Sequence, residues 1–381
     1  MKFFIMKIGI LFLNIIYFFI KLLPTKNKIT MISRQSDTKT IDFSLLEKEI
    51  YNRDKRYKVV ILCHKLDGGI ASTLKNKIKY FFHMFKQMYH IATSKVVILD
   101  SYCIVISILK HKRKLKIIQI WHSMGTMKKF GYSVLGLSEG SNVKLAHTMK
   151  MHKNYNYIFA SGDAYRKHLS LGFNTDINKI LVYPLPRYDL LKNNSIQNEY
   201  KNKIINQYPI IKNKKNILYC PTFRKKESNF EDAVNKLINC IDTRKYNLII
   251  KLHPLSKIKI DIKKKGIIID KNFSTLEMLS ISDYVISDYS CIIYEAAVKG
   301  IPLYFYNYDM DTYIDSRGLA IDYYNELPGK ISSNPIEIVK AIENEKYDYL
   351  KLKKFSDKYV KPTKNATKDI VDFIFSIINK K

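Results

Sequence analysis

Asp288-Tyr289-Ser290 follows the apolar run Tyr284 to Ser287 and precedes an apolar helical pattern from Cys291 to Lys299, closed by Gly300 and Pro302. That order predicts a strand, a tight polar turn and a helix start. The first backbone N–H groups of a helix lack internal partners and carry the positive end of its macrodipole. Ser290, with Ser287 and Asp288 beside it, would therefore form a cradle for phosphate. The competing role for such a turn is a simple helix cap. A second run, Leu248 to Leu252, carries Lys251 and ends at His253-Pro254, and a third ends at Pro221-Thr222-Phe223-Arg224. Arg224 at a strand's carboxyl end is suited to holding a phosphate through two parallel hydrogen bonds, though a lone arginine reads equally as a surface cation. If these strands lie parallel, their loops open on one carboxyl edge, where open α/β sheets bind ligands.

The first half of the chain offers a different chemistry. Asp100 and His122 each stand at the carboxyl end of a predicted strand, KVVILD and KIIQIWH. If the strands are neighbours, the carboxylate can hold the imidazole, which is how a general base is oriented and made more basic. The alternative is that His122 satisfies loop backbone and Asp100 caps a helix. His147 and His152, five residues apart, have poor spacing for a metal pair and read as solvated or groove-lining.

Short β-branched runs alternating with helical segments must position these groups. The runs are KITMISRQSD, YKVVILCHK, KVVILDSY, KIIQIWH, NYIFASG and KILVYP, then KNILYC, YNLII and YVIS, with Gly68-Gly69 opening a helical segment to about Tyr89. This is the pattern of doubly wound α/β domains, and 381 residues suit two of them. The polar stretch 190–213 places the boundary, giving domains over 28–195 and 196–381, with the terminal apolar helix expected to pack back across the first. Residues 1–24 are apolar but interrupted by Lys7, Asn14 and Lys21. A helix in the cytoplasmic membrane interface is expected there, set on headgroups by Lys21, Lys26 and Lys28, with a membrane span as the main competitor. No cleavage site of small residues follows.

Sixty-five basic residues against 34 acidic give a net charge of +31, so the partners are anionic. Nucleic acid, an anionic membrane surface and a polyphosphate polymer all satisfy that charge. The 28 tyrosines and 19 phenylalanines fall inside strand and helix patterns rather than in one basic patch, which argues against nucleic acid. Five cysteines without a C-x-x-C pair suggest neither a disulfide framework nor a zinc site.

Several motifs in order then resemble one family. Lys-Leu-His-Pro at 251–254, Ser-Asp-Tyr-Ser at 287–290, Pro302, Tyr308-Asp309 and Arg317-Gly318 are similar to the C-terminal half of the CDP-glycerol glycerophosphotransferases, the teichoic acid primases and polymerases. Gln-Ile-Trp-His at 119–122, Gly125-Thr126, Lys128-Lys129 and Gly131 resemble their Trp-His-Gly-Thr segment, with Ser123 and Met124 intervening. Pro184, Pro186, Arg187 and Asp189 resemble the interdomain segment. The resemblance implies a GT-B-type fold of two Rossmann-like domains. It implies attack of an acceptor hydroxyl on the β-phosphorus of CDP-glycerol or CDP-ribitol, with CMP leaving. His122 would be the base, Asp100 its orienter, and His253, Arg224, Ser287, Asp288 and Ser290 the phosphate clamp, with Lys251 and Arg317 as further candidates. Trp121, Gly125, Thr126, Lys128 and Lys129 would lie on the acceptor side. The acceptor would be a polyprenyl-diphosphate-linked saccharide at the cytoplasmic face of the membrane.

No metal or cofactor is expected, although Asp309-Met310-Asp311 keeps a metal-bound nucleotide in view. The rivals are a GT-B glycosyltransferase using a nucleotide-sugar and a non-catalytic basic protein. The motifs separate neither glycerol from ribitol, nor priming from polymerising, nor teichoic acid from capsule, and leave the oligomeric state open.

Overall fold

The computed structural model describes residues 1–65, 74–224, 229–253 and 264–379, with 256, 258 and 260. The expected helix opening at Gly68-Gly69, and Pro254 of the His253-Pro254 pair, lie outside the described residues. The chain forms two compact units. One comprises Met1–His122, Phe130–Arg187 and Thr363–Lys381, the other Ser123–Lys129 and Tyr188–Pro362.

The first unit is built on β1 (Lys28–Ser33), β2 (Lys58–Cys63), β3 (Val96–Leu99), β4 (Lys116–Gln119), β5 (Tyr157–Ala160) and β6 (Ile180–Val182). They pair in the order β2-β1-β3-β4-β5-β6, parallel throughout. β1 and β3 are buried along their whole length, as a sheet covered on both faces requires. The chain leaves β1 toward β2 on one side and returns to β3 on the other. The topological switch point therefore lies at the carboxyl ends of β1 and β3.

The last helix, Ala366–Asn379, buries Ile370, Val371, Ile374 and Ile377 in this unit. Phe373 meets Tyr157 and Phe159 edge-on at 5.0 and 5.5 Å, and Asp372 pairs with Arg53 of helix Ile41–Arg53. Arg187, at the end of the unit's middle segment, is tied to buried Asp42 through its backbone N at 2.9 Å and its Nε at 3.0 Å. The polar stretch after it forms helix Asn194–Gln207 of the second unit.

Helix Lys2–Ile20 is long and apolar enough to cross a membrane. One side of it packs Ile10, Leu13, Ile16, Ile20 and buried Tyr17 on the first unit's core. Asn14 donates to the Ile108 carbonyl and accepts from the Lys110 N–H, both at 3.0 Å, and the Tyr17 hydroxyl lies 3.0 Å from His111 Nδ1. The opposite side exposes Phe4, Ile8, Leu11, Phe12, Ile15, Phe18 and Phe19.

The second unit contains β7 (Lys215–Cys220), β8 (Tyr246–Ile250), β9 (Ile267–Ile269), β10 (Tyr284–Ser287), β11 (Leu303–Tyr306) and β12 (Ile331–Ser332). Their order is β12-β11-β10-β7-β8-β9, again parallel. β9, β11 and β12, which no expected strand covered, are short. Here the switch point falls at the carboxyl ends of β7 and β10. Helix Ile292–Lys299 follows β10, with Cys291 as its N-cap and Gly300 closing it at φ 75°.

Candidate active site

The edge of the first unit is shaped by a strained turn. Ile120 still bonds the Leu99 carbonyl at 2.8 Å, and then Trp121 takes φ 61°. That conformation costs a bulky residue on the order of 1–2 kcal/mol. Packing holds it there: the Trp121 N–H bonds Gln119 Oε1 at 3.0 Å, and its ring lies 4.7 Å from that of Phe130 and 5.1 Å from that of Phe173. Gly131, at φ 57°, lets the chain pass so close to the Gly172 carbonyl that a Cβ would sit 2.2 Å from its oxygen.

The turn leaves His122 at the sheet edge with Nδ1 3.1 Å from the main-chain oxygen of Asp100. A carbonyl can only accept, so Nδ1 carries the proton and Nε2 keeps its lone pair. Gln35, just beyond β1, brings its side-chain amide within 3.4 Å of the same Nδ1. In place of the expected carboxylate-to-imidazole contact, the oxygen at Nδ1 is Asp100's backbone carbonyl.

The Asp100 carboxyl instead turns inward, 3% exposed, with hydrogen bonds to Ser33 and Ser101, and its Oδ1 is buried without a partner. Burial pushes its pKa up to about 6 from 3.8. Because the folded-state pKa is raised, ionisation favours unfolding. Above pH 6 the native state carries a penalty of about 3 kcal/mol, which fades as pH falls toward 3.8. Asp100→Asn is therefore expected to raise the melting temperature near pH 8 and to change it little near pH 4. A lower melting temperature near pH 8 would mean that the carboxylate has a charge partner.

His147 and His152 do not form a pair. His152 is buried with Nδ1 3.1 Å from the Tyr155 hydroxyl, and burial pushes its pKa down to about 3. Among the described residues, no group of three or more His, Cys, Asp or Glu is arranged to hold a metal ion.

In the second unit, Arg224 is at the centre of a buried network. Its Nε donates to Asp309 Oδ2 at 2.6 Å, its Nη2 to Asp288 Oδ2 at 2.8 Å and Asp309 Oδ1 at 3.0 Å, and its Nη1 to the Thr222 carbonyl at 2.6 Å. Burial alone would disfavour the charged guanidinium, but Asp288 and Asp309 outweigh it and its pKa is raised. Asp288, fully buried, also accepts from Thr222 N and Oγ1 and from Tyr289 N. The ring of Tyr289 stacks on that of Tyr313 at 3.9 Å.

Arg224 and Asp288, expected at the phosphate, here join the carboxyl ends of β7, β10 and β11. Asp309, half of the Asp-x-Asp pair, is committed to the same network. Ser287 donates to the Cys220 carbonyl at 2.9 Å, inside the sheet. Lys251 pairs with buried Asp270 at 2.6 Å and donates to the Phe273 carbonyl, so it secures the end of β8.

Half-buried Ser290 and Cys291 stand at the start of helix Ile292–Lys299, and exposed His253 sets its ring 5.3 Å from that of Phe223. The segment Ser123–Lys129, next in sequence to His122, packs in the second unit. Its backbone pairs with 318–320 through Lys129 N to Gly318 O at 3.2 Å and Ala320 N to Met127 O at 2.8 Å. The expected acceptor-side set is therefore divided. Trp121 belongs to the first unit, whereas Gly125, Thr126, Lys128 and Lys129 belong to the second. Thr126 Oγ1 bonds the Lys128 carbonyl at 2.7 Å, and Lys129 is exposed. Burial lowers the pKa of Lys128, which also feels Cys291, Arg317, Asp288 and Arg224.

Gly125 lies against the Tyr294 ring, where a Cβ would meet ring carbons at 2.5 to 2.7 Å. Gly125→Ala is expected to displace this segment and to destabilise the protein by about 1–3 kcal/mol, read from denaturant unfolding. An unchanged midpoint would show that Tyr294 yields freely.

Residues 15–376 match the model of the CDP-Glycerol:Poly(glycerophosphate) glycerophosphotransferase family. The teichoic acid glycerol-phosphate primase of Bacillus subtilis (strain 168) is 29% identical, covering 97% of each chain. The teichoic acid poly(ribitol-phosphate) polymerase of Bacillus spizizenii is 28% identical over 92% of this chain and 56% of its own length, so this chain spans little more than half of that polymerase. The solved wall teichoic acid polymerase TagF has the same fold, with a TM-score of 0.73 at 19% identity, covering 99% of this chain and 98% of that one. The chain belongs to the CDP-glycerol:poly(glycerophosphate) glycerophosphotransferase family of transferases.

Proposed function

We propose that this chain transfers glycerol phosphate or ribitol phosphate from a CDP-activated polyol to a hydroxyl of a membrane-linked saccharide acceptor, releasing CMP in the synthesis of teichoic acid or a related surface polymer. The family match over residues 15–376 carries this reading. In the reaction, the acceptor oxygen bonds to the β-phosphorus while the bridging bond to the α-phosphate breaks and CMP leaves with the electron pair. The acceptor's proton goes to His122 Nε2, the nitrogen left basic by the Nδ1 contact to Asp100. The leaving phosphate needs positive charge that does not have to reorganise. The backbone start of helix Ile292–Lys299, Lys128 and Arg317 offer it, Ser290 and His253 can add hydrogen bonds, and Arg224 acts through Asp288 as a positioning residue.

The test is CMP release by the purified protein in detergent, offered CDP-glycerol and CDP-ribitol separately with a polyprenyl-linked saccharide. Release from one donor would identify the polyol. Release from neither, with a competent acceptor, would reject the reaction and turn the search to nucleotide-sugars.

The N-terminal helix gives the cytoplasmic membrane attachment. Asn14 and Tyr17 tie one side of it to 108–111, so the helix lies along the first unit with its other side presented to lipid. Phe4, Leu11 and Phe18 recur every seven residues on that exposed side, at 68%, 62% and 52% exposure. Replacing all three with Glu removes about 2 kcal/mol of apolar burial each and is expected to move the protein from the membrane pellet to the supernatant. A protein that stays in the pellet would place its attachment elsewhere.

A further inference from the structure

The carboxyl edge of the first unit carries a second set of polar groups that His122 and its supports do not use. Arg34 follows β1 directly, at the switch point. Its backbone N bonds Ser101 Oγ at 3.0 Å and its Nη1 donates to the Tyr102 carbonyl at 2.8 Å, whereas its Nε is buried without a hydrogen-bond partner. Helix Leu74–Ala92 brings Tyr80, His83 and Gln87 to this place from one face, at the spacing that lines up side chains along a helix. The Arg34 guanidinium lies 5.9 Å from the Tyr80 ring centre, and the Tyr80 and His83 rings are 6.2 Å apart. Gln87 Oε1 is 3.8 Å from Cys103 Sγ, beside Tyr102. The ring of His64, at the end of β2, stacks 5.8 Å from Tyr80 and lies 5.0 Å from His83, with Asp37 3.6 Å from its Nδ1.

Tyr80 OH, His83 Nε2 and Gln87 Nε2 are, like Arg34 Nε, buried without hydrogen-bond partners. Folded proteins leave few such atoms, because each forfeits the hydrogen bonds it makes to water in the unfolded chain. Four in one neighbourhood have no account in packing alone. The guanidinium, the amide and the phenol are donors, and burial raises the Tyr80 pKa to about 12, so its proton stays. Donors around one fixed positive charge select an oxygen-rich anion. The place also adjoins the base. Gln35, the next residue after Arg34, reaches His122, and Asp100, whose carbonyl holds His122, precedes the Ser101 that accepts from Arg34.

We infer that Arg34, Tyr80, His83 and Gln87 form a phosphate subsite for a saccharide acceptor that already carries a polyol phosphate, holding the phosphodiester next to the attacking hydroxyl so that this hydroxyl is presented to His122. The inference rests on the reaction proposed above. A lipid headgroup carries the same phosphodiester chemistry, so the experiment must separate the two sources.

Glycerophosphoglycerol, a soluble phosphodiester, is titrated calorimetrically into the full chain in detergent. Its binding is expected to weaken about tenfold or more in Arg34→Gln and several-fold in Tyr80→Phe, with Arg34→Lys in between. The KM for a phosphate-bearing acceptor should rise by a similar factor while the KM for the CDP donor stays unchanged. Tyr80→Phe removes a single oxygen and keeps the test valid if the arginine variants unfold. Equal binding by wild type and variants overturns the subsite. Binding seen only with phosphatidylglycerol vesicles also overturns it and assigns the headgroup. The titration needs no turnover, so a chain that binds the diester but releases no CMP would refute the reaction and leave the subsite. A chain that releases CMP with its acceptor KM unchanged in Arg34→Gln would do the reverse.

Discussion

His122→Asn is expected to lower kcat for CMP release by about 100- to 10,000-fold, with the KM for the CDP-polyol within about threefold of wild type. The asparagine amide can donate to the Asp100 carbonyl from nearly the position that Nδ1 occupies at 3.1 Å, so the strained Trp121 turn should persist. What disappears is the basic lone pair on Nε2. Loss of rate without loss of donor affinity or of melting temperature therefore isolates proton removal from structure. Asp100→Asn should change the rate far less, because its backbone carbonyl, not its carboxylate, holds the imidazole. A His122→Asn protein with near wild-type turnover would place the base on another residue.

Arg224→Met is expected to destabilise the protein by about 3–5 kcal/mol, because removing one partner from a buried ionic network leaves the other charges uncompensated. Here both Asp288, fully buried, and Asp309 would be stranded, and the loops after β7, β10 and β11 would lose the group that joins them. Arg224→Lys restores the charge but not the fork, so it should recover only part of the loss. Thermal unfolding and donor binding should be measured on the same preparations. Unchanged unfolding with donor affinity alone reduced would show that Arg224 leaves its carboxylates to take the phosphate. The Asp288 and Asp309 contacts predict the opposite, a loss of fold that precedes the loss of binding.

Much of this protein could be read from residue order alone. The runs ending at Ser33, Cys63, Leu99, Gln119, Cys220, Ile250 and Ser287 are rich in β-branched and apolar residues, as strands of a covered parallel sheet are. The helix after Ser290 was equally legible, since it is bounded by a polar turn and by a glycine in the left-handed conformation. Ordered motifs at family spacing also named the reaction class, which the family match over residues 15–376 bears out.

The roles within those motifs depended on distances between residues far apart in the chain. Arg224 has the side chain to hold a phosphate and Asp309 belongs to an Asp-x-Asp pair, but 64 and 85 positions of separation close to 2.8 and 2.6 Å and pair Arg224 with Asp288 and Asp309. Lys251 and Asp270 are a similar case. Gly125 to Lys129 continue the His122 motif in sequence, yet their backbone partner is Gly318 to Ala320. Arg34, Tyr80, His83 and Gln87 carried no motif at all. What joins them is that β1 lies between β2 and β3, at the switch point of its sheet, with one helix laid beside its end, and strand order is set by long-range packing. Sequence determined which elements form and which chemical groups stand at their ends. Only the tertiary structure decided which of those groups spend their charge on one another and which remain for a substrate, because a buried charge takes the nearest partner the fold provides.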